Sequence, residues 1–92
     1  MKESAIEKAV CQWAKDHGIL AMKLAGPNQK GQPDRMFLHK GRVGFLEFKA
    51  PGKKPTVLQE NWLEELWNRE FAVGWFDNVA DAVAWLKKLF SL

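Results

Sequence analysis

The stretch Gly31-Gln32-Pro33-Asp34-Arg35-Met36-Phe37-Leu38-His39-Lys40-Gly41-Arg42-Val43-Gly44-Phe45-Leu46-Glu47-Phe48-Lys49 decides how this chain is read. Val43 to Lys49 has the β-branched and aromatic content of a strand, and Arg35 to His39 has it less strongly. Lys40-Gly41 between them suits a two-residue hairpin loop, with the glycine accepting positive φ. Such a loop pairs His39 with Arg42. Counting outward sets Leu38 against Val43, Met36 against Phe45 and Asp34 against Glu47. A four-residue loop, His39 to Arg42, gives the same register, whereas a three-residue loop shifts it by one. Alternation along the strands then places Asp34, Met36, Leu38, Val43, Phe45, Glu47 and Lys49 on one face.

That face is apolar in its middle and ends in two carboxylates and an ammonium. Like charges directly opposed on paired strands destabilise, by up to roughly 1 kcal/mol at exposed sites. Asp34 beside Glu47 therefore asks for a compensating cation. A hard divalent ion with oxygen ligands is the natural one, Mg²⁺ with Mn²⁺ expected to substitute. Lys49 points to the same side and can hold an attacking water or a phosphate oxygen. The pattern outlines a metal-dependent phosphodiesterase site.

Pro33-Asp34, twelve intervening residues, then Glu47-Phe48-Lys49 resembles the PD-(D/E)xK nuclease signature. The fuller set Gly31-Gln32-Pro33-Asp34, Phe45-Leu46-Glu47-Phe48-Lys49, Gly52 and Gln59 resembles its VRR-NUC branch, the virus-type replication-repair nucleases. The likeness covers nearly the whole chain, as a stand-alone phage or bacterial type, and the element order is similar to that of archaeal Holliday junction resolvases. It implies one nuclease domain over residues 1–92 with a restriction-endonuclease-like α/β core: three layers, a mixed sheet of about four strands and about three helices. It also implies that Asp34, Glu47 and the Phe48 carbonyl hold Mg²⁺, that Lys49 is catalytic, and that Gln59 orients a catalytic group or a substrate phosphate. The product ends would be 5′-phosphate and 3′-hydroxyl.

Composition fits this reading. Ninety-two residues with five Trp and six Phe are enough for one core, and a net charge of +3 leans towards nucleic acid. One cysteine, Cys11, excludes an internal disulfide, and no Cys/His cluster suggests zinc. With no secretory apolar region and no apolar run near ~20 residues, the expectation is a cytoplasmic, nucleoid-associated protein with no membrane partner.

From the N-terminus, Glu3 to His17 reads as a helix with Ser4 as its cap, an apolar face of Ala5, Ile6, Ala9, Val10, Trp13 and Ala14, and Gly18 as its stop. Glu7 lies at the margin of that face and can lean towards Asp34 and Glu47. In the similar resolvases a glutamate eleven residues before such a glycine joins the metal site, which is the spacing of Glu7 to Gly18. Glu3, one turn earlier, is the competing candidate. Ile19 to Ala25 reads as a strand with Leu20, Met22 and Leu24 on one face and Lys23 on the other, where it can reach DNA. The turn residues Gly26 to Gly31 follow, with Lys30 near a phosphate path. After Lys49, the loop Ala50-Pro51-Gly52-Lys53-Lys54-Pro55 offers Lys53 and Lys54 to the DNA backbone.

Thr56 caps a second helix to about Asn68, with Leu58, Trp62, Leu63 and Leu66 as its stripe and Gln59 on the stripe's edge. Phe71 to Phe76 is the last strand. Asn78, with Asp81 three residues on, caps a third helix from Val79 to about Phe90, whose Val79, Val83, Leu86 and Phe90 should pack on the sheet, with Trp85 and Leu89 widening that face. Trp67, Trp75 and Trp85 are more apolar surface than so short a chain need keep inside, so a homodimer is expected. Its pairing surface would be the third helix, with Trp85 and Leu89, or the region of Trp75. The expected function is a structure-specific DNA endonuclease, a homodimeric Holliday junction resolvase that cuts four-way junctions. The alternatives are a monomeric flap or single-strand-directed nuclease and a non-catalytic DNA-binding module.

Overall fold

The computed structural model describes residues 1–24 and 30–92. The elements are α1 (Glu3–Asp16), β1 (Leu20–Lys23), β2 (Arg35–His39), β3 (Arg42–Phe48), α2 (Val57–Asn68), β4 (Ala72–Phe76) and α3 (Val79–Phe90). The hairpin forms in the expected register, with His39 facing Arg42, Leu38 facing Val43 and Met36 facing Phe45. Lys40 and Gly41 both have positive φ, 49° and 78°, the turn whose twist matches that of the paired strands. β1 adds antiparallel to β2, and β4 adds parallel to β3 after the α2 crossover, giving the order β1-β2-β3-β4. This is the expected α/β fold, a mixed four-stranded sheet with three helices.

Alternation divides the sheet into two unlike faces. Phe37, Leu46 and Phe48 point to one side, where Ile6, Val10 and Ala14 of α1 and Ala82, Leu86 and Phe90 of α3 join them in a buried core. Gly44 lies on this face. A Cβ there would come within 2.4 Å of Leu89 Cδ2 and 3.0 Å of Trp85 Cη2, so α3 seats directly on the β3 backbone. Trp85 and Leu89 are therefore packed against the core. This bears out the reading that they widen the sheet-packing face of the third helix.

α2 covers part of the other face. Phe45 meets Phe71 edge to face at 5.6 Å and shares a small crevice with Trp62 and Leu66. No residue of α2 is buried. Leu20 and Met22, which pair with Leu38 and Met36 on this side, are 58% and 44% exposed.

Local signals were mostly realised. Gly18 (φ +76°) follows the end of α1, Asp81 N–H donates to Asn78 Oδ1 at 2.8 Å, and Gln59 N–H donates to Thr56 Oγ1 at 3.2 Å. Ser4 is not a cap: Lys2 holds that position without a side-chain bond, and Ser4 is inside α1. β1 is shorter than Ile19 to Ala25. Ala25 and most of the turn that follows it lie outside the described residues.

Candidate active site

Glu47 and Asp34 meet where β3 ends and β2 begins. Glu47 is 2% exposed, and its Oε2 has no hydrogen-bond partner among the described residues. Asp34 is held beside it: Oδ2 accepts from the Phe48 backbone N–H at 2.7 Å, and the Asp34 carbonyl accepts from Leu24 N–H at 3.2 Å. Burial pushes the Glu47 carboxyl up to about 9, and a hydrogen bond to Asp34 together with the Asp34 charge pushes the same way, while Lys49 opposes them. An ionised carboxylate buried without a partner is costly. The pair therefore holds a proton when no cation is present. Two adjacent carboxylates, one with an orphaned buried oxygen, are a donor set suited to a hard divalent ion.

Lys49 comes one residue after the end of β3 and is 14% exposed at its side chain. Its Nζ donates to Gln59 Oε1 at 3.2 Å and lies 3.9 Å from Glu3 Oε1. Gln59 Oε1 also accepts from Thr56 N–H at 2.9 Å, which completes a reciprocal capping box at the start of α2. One side-chain oxygen thus closes the helix cap and holds the lysine. The spacing Thr56-Val57-Leu58-Gln59 carries the capping signal in the sequence. What it cannot carry is the second partner, because Lys49 arrives from another element.

The three carboxylates Glu7, Asp34 and Glu47 are not brought together. Glu7 Oε2 instead accepts from Arg35 Nε at 2.6 Å and from Lys23 Nζ at 3.4 Å. Among the described residues no group of three His, Cys, Asp or Glu side chains is placed to share a metal ion. Glu3, by contrast, lies next to Lys49. Arg35 is the residue that sequence reasoning missed. It follows Asp34 and so points to the opposite face, where it pairs in register with Lys23 of β1. The same alternation that placed Asp34 could have placed it.

The remaining lysines are exposed. Lys30 is tied through its carbonyl, which accepts from Trp62 Nε1 at 3.2 Å. Lys53 and Lys54 stand on a defined turn, with Lys53 N–H donating to Ala50 O and Gly52 N–H donating to Asp77 Oδ2, both at 2.9 Å. No described helix is long and apolar enough to cross a membrane.

No family model matches the chain. A protein of Acyrthosiphon pisum secondary endosymbiont phage 1 named "Putative nuclease p44" is 40% identical over 60 residues, 64% of each chain, so the match spans less than two thirds of that protein. A solved structure described as a VRR_NUC domain superposes with a TM-score of 0.83 at 24% identity, covering 95% of this chain and 96% of its own. Another, a VRR_NUC domain protein, superposes at 0.82 with 14% identity, covering 99% and 89%.

Proposed function

We propose, for a chain that has the VRR_NUC fold, the activity of a divalent-metal-dependent endodeoxyribonuclease that cuts branched DNA as a homodimer. The observation that carries this reading is the buried oxygen of Glu47, unpartnered among the described residues, beside Asp34 and with Lys49 just past the end of β3. The nuclease name of the phage relative supports the activity class.

Asp34, Glu47 and the Phe48 carbonyl would hold Mg²⁺ or Mn²⁺, with Glu3 the nearest further carboxylate and Glu7 engaged by Arg35. Such an ion, when bound, polarises the scissile phosphate and lowers the pKa of a water. Lys49 positions the attacking water and offsets the charge that builds on the phosphate in the transition state. Gln59 keeps the lysine's ammonium aimed, because its oxygen is itself fixed by the helix cap. Lys53 and Lys54 bind the backbone through charge and contribute affinity without base specificity.

The exposed Leu20 and Met22 on the edge strand support pairing of two copies. A two-fold dimer would align two sites on opposing strands of a four-way junction. The test is cleavage of a synthetic four-way junction beside matched duplex and flap, with and without Mg²⁺, together with light scattering. Paired nicks on opposing junction strands by a dimer are expected, only with the metal present. Metal-independent cleavage, or no cleavage of any DNA, would overturn the activity. Single unpaired nicks by a monomer would replace the resolvase with a flap nuclease.

A further inference from the structure

A cleft of about 550 Å³ runs between α1 and the edge strand β1, on the side of the sheet away from α2. Its charged walls are Lys8 and Lys15 from α1, Lys23 from β1 and Arg35 from β2, against one carboxylate, Glu7. Glu7 does not cancel this excess. It binds Arg35 and Lys23 together and so holds two cations of different strands at one place on the wall. Arg35 is 23% exposed and Lys23 57%, which leaves both able to meet a ligand.

The cleft lies on the face of the sheet opposite Asp34 and Glu47, and two residues link its end to theirs. Arg35 follows Asp34 in the chain, and Glu3, one turn before Glu7 on α1, reaches to 3.9 Å from Lys49. From there the cleft extends along α1 to Lys15. Lys8 and Lys15 are seven residues apart, so they stand on one side of the helix at a separation of about 10 Å, roughly the axial span of three nucleotides of one strand. A small anion would use one end of such a wall. A polyanion with regularly spaced charges would use its length.

We propose that this α1–β1 cleft is a phosphodiester-binding track, in which the DNA backbone continues away from the cleavage site along Arg35, Lys23, Lys8 and Lys15. The inference rests on the nuclease reading and adds the path taken by the substrate. It gives Glu7 a positioning role in binding, as the group that sets Arg35 and Lys23 in place. The track contributes affinity through charge and no base readout, since its cations reach phosphates rather than base edges.

The experiment is a salt series of fluorescence anisotropy with a labelled four-way junction in EDTA, which separates binding from cleavage, for the wild type and for Lys8→Gln with Lys15→Gln. Both lysines are exposed, and an unchanged melting temperature checks that the variant folds. Loss of two phosphate contacts should lower the slope of log K against log salt by about 1.8. Cys11, the chain's one cysteine, lines the same cleft and reports position: bound DNA should slow its alkylation by a maleimide. DNA that is bound and cut normally, with an unchanged slope or with Cys11 equally reactive in free and bound protein, overturns the track alone. Absence of any DNA binding by the wild type overturns the nuclease reading and the track together.

Discussion

Under α1 and α3 the sheet is closed by side chains that exclude water: Phe37, Leu46 and Phe48 meet Ile6, Val10, Leu86 and Phe90. Under α2 it is only half covered, with Leu20 and Met22 in solvent and a carboxylate, Glu47, buried at its end. The difference teaches where this small domain keeps its stability and where it keeps its chemistry. The first face can be well packed because the groups at its centre are apolar, with Lys23 and Arg35 kept to its edge. The second holds like charges that need an external partner, and an α2 whose capped first turn carries Gln59 over Lys49. The comparison predicts that damage to one face reads out as unfolding and damage to the other as lost activity.

The largest effect should come from the closed face. Phe37→Ala should cost about 3–5 kcal/mol in denaturant unfolding, the range for truncating a buried phenylalanine. Leu58→Ala or Trp67→Ala on α2, at 47% and 63% exposed, should change stability by no more than about 0.5 kcal/mol. Equal losses on both faces would erase the distinction.

At the site the pattern should reverse. Asp34→Ala or Glu47→Ala should reduce metal-dependent cleavage by more than about 100-fold, since even the outer partners of metal ligands are worth 10–100-fold. Circular dichroism should show the fold intact. Undiminished cleavage by either variant removes the pair from the chemistry.

Gln59 links the two kinds of effect and should give the smallest. Gln59→Glu keeps the capping spacing and should leave stability within about 0.5 kcal/mol, whereas Gln59→Ala should lose on the order of 1 kcal/mol. Both should slow single-turnover cleavage at saturating protein, because neither retains the neutral oxygen that holds Lys49. A rate loss in Gln59→Ala alone would assign the residue to the cap and not to the lysine.

These outcomes bear on how far the sequence could be read. The hairpin register was legible because Lys40-Gly41 admits a tight turn and because alternation with a period of two leaves little freedom once the turn is set. From that register came Asp34 beside Glu47. The start of α3 was legible to the residue, since Asn78 and Asp81 fix it. Three things were not. Ser4 has the chemistry of a cap, but Lys2 holds the cap position and Ser4 lies one residue inside α1. Trp85 and Leu89 were offered both to the sheet and to a partner copy, and nothing in a linear pattern says that Gly44, lacking a Cβ, lets the helix settle directly onto β3. Glu7 was aimed at the carboxylates by its place on a helical wheel, yet a wheel does not show that β1 and β2 set Lys23 beside Arg35 under it. The shared feature is that each depends on an approach between elements distant in the chain.

The central claim, that Asp34 and Glu47 are a pair built for a divalent cation, has a signature apart from activity. Glu47 titrates near 9 in the fold and at the ordinary 4.5 when unfolded. Between those values the unfolded chain has released a proton that the folded one keeps, so metal-free stability should fall as pH rises from about 4.5 to about 9. Filling the site must expel that proton. The most direct measurement is calorimetric titration of Mn²⁺ into the wild type and Glu47→Gln at pH 7.5, in buffers of different ionisation enthalpy. Saturable binding with net proton release by the wild type, and none by Glu47→Gln, is the predicted result. Equal Mn²⁺ binding by the two proteins, or no saturable binding by the wild type, would contradict the account.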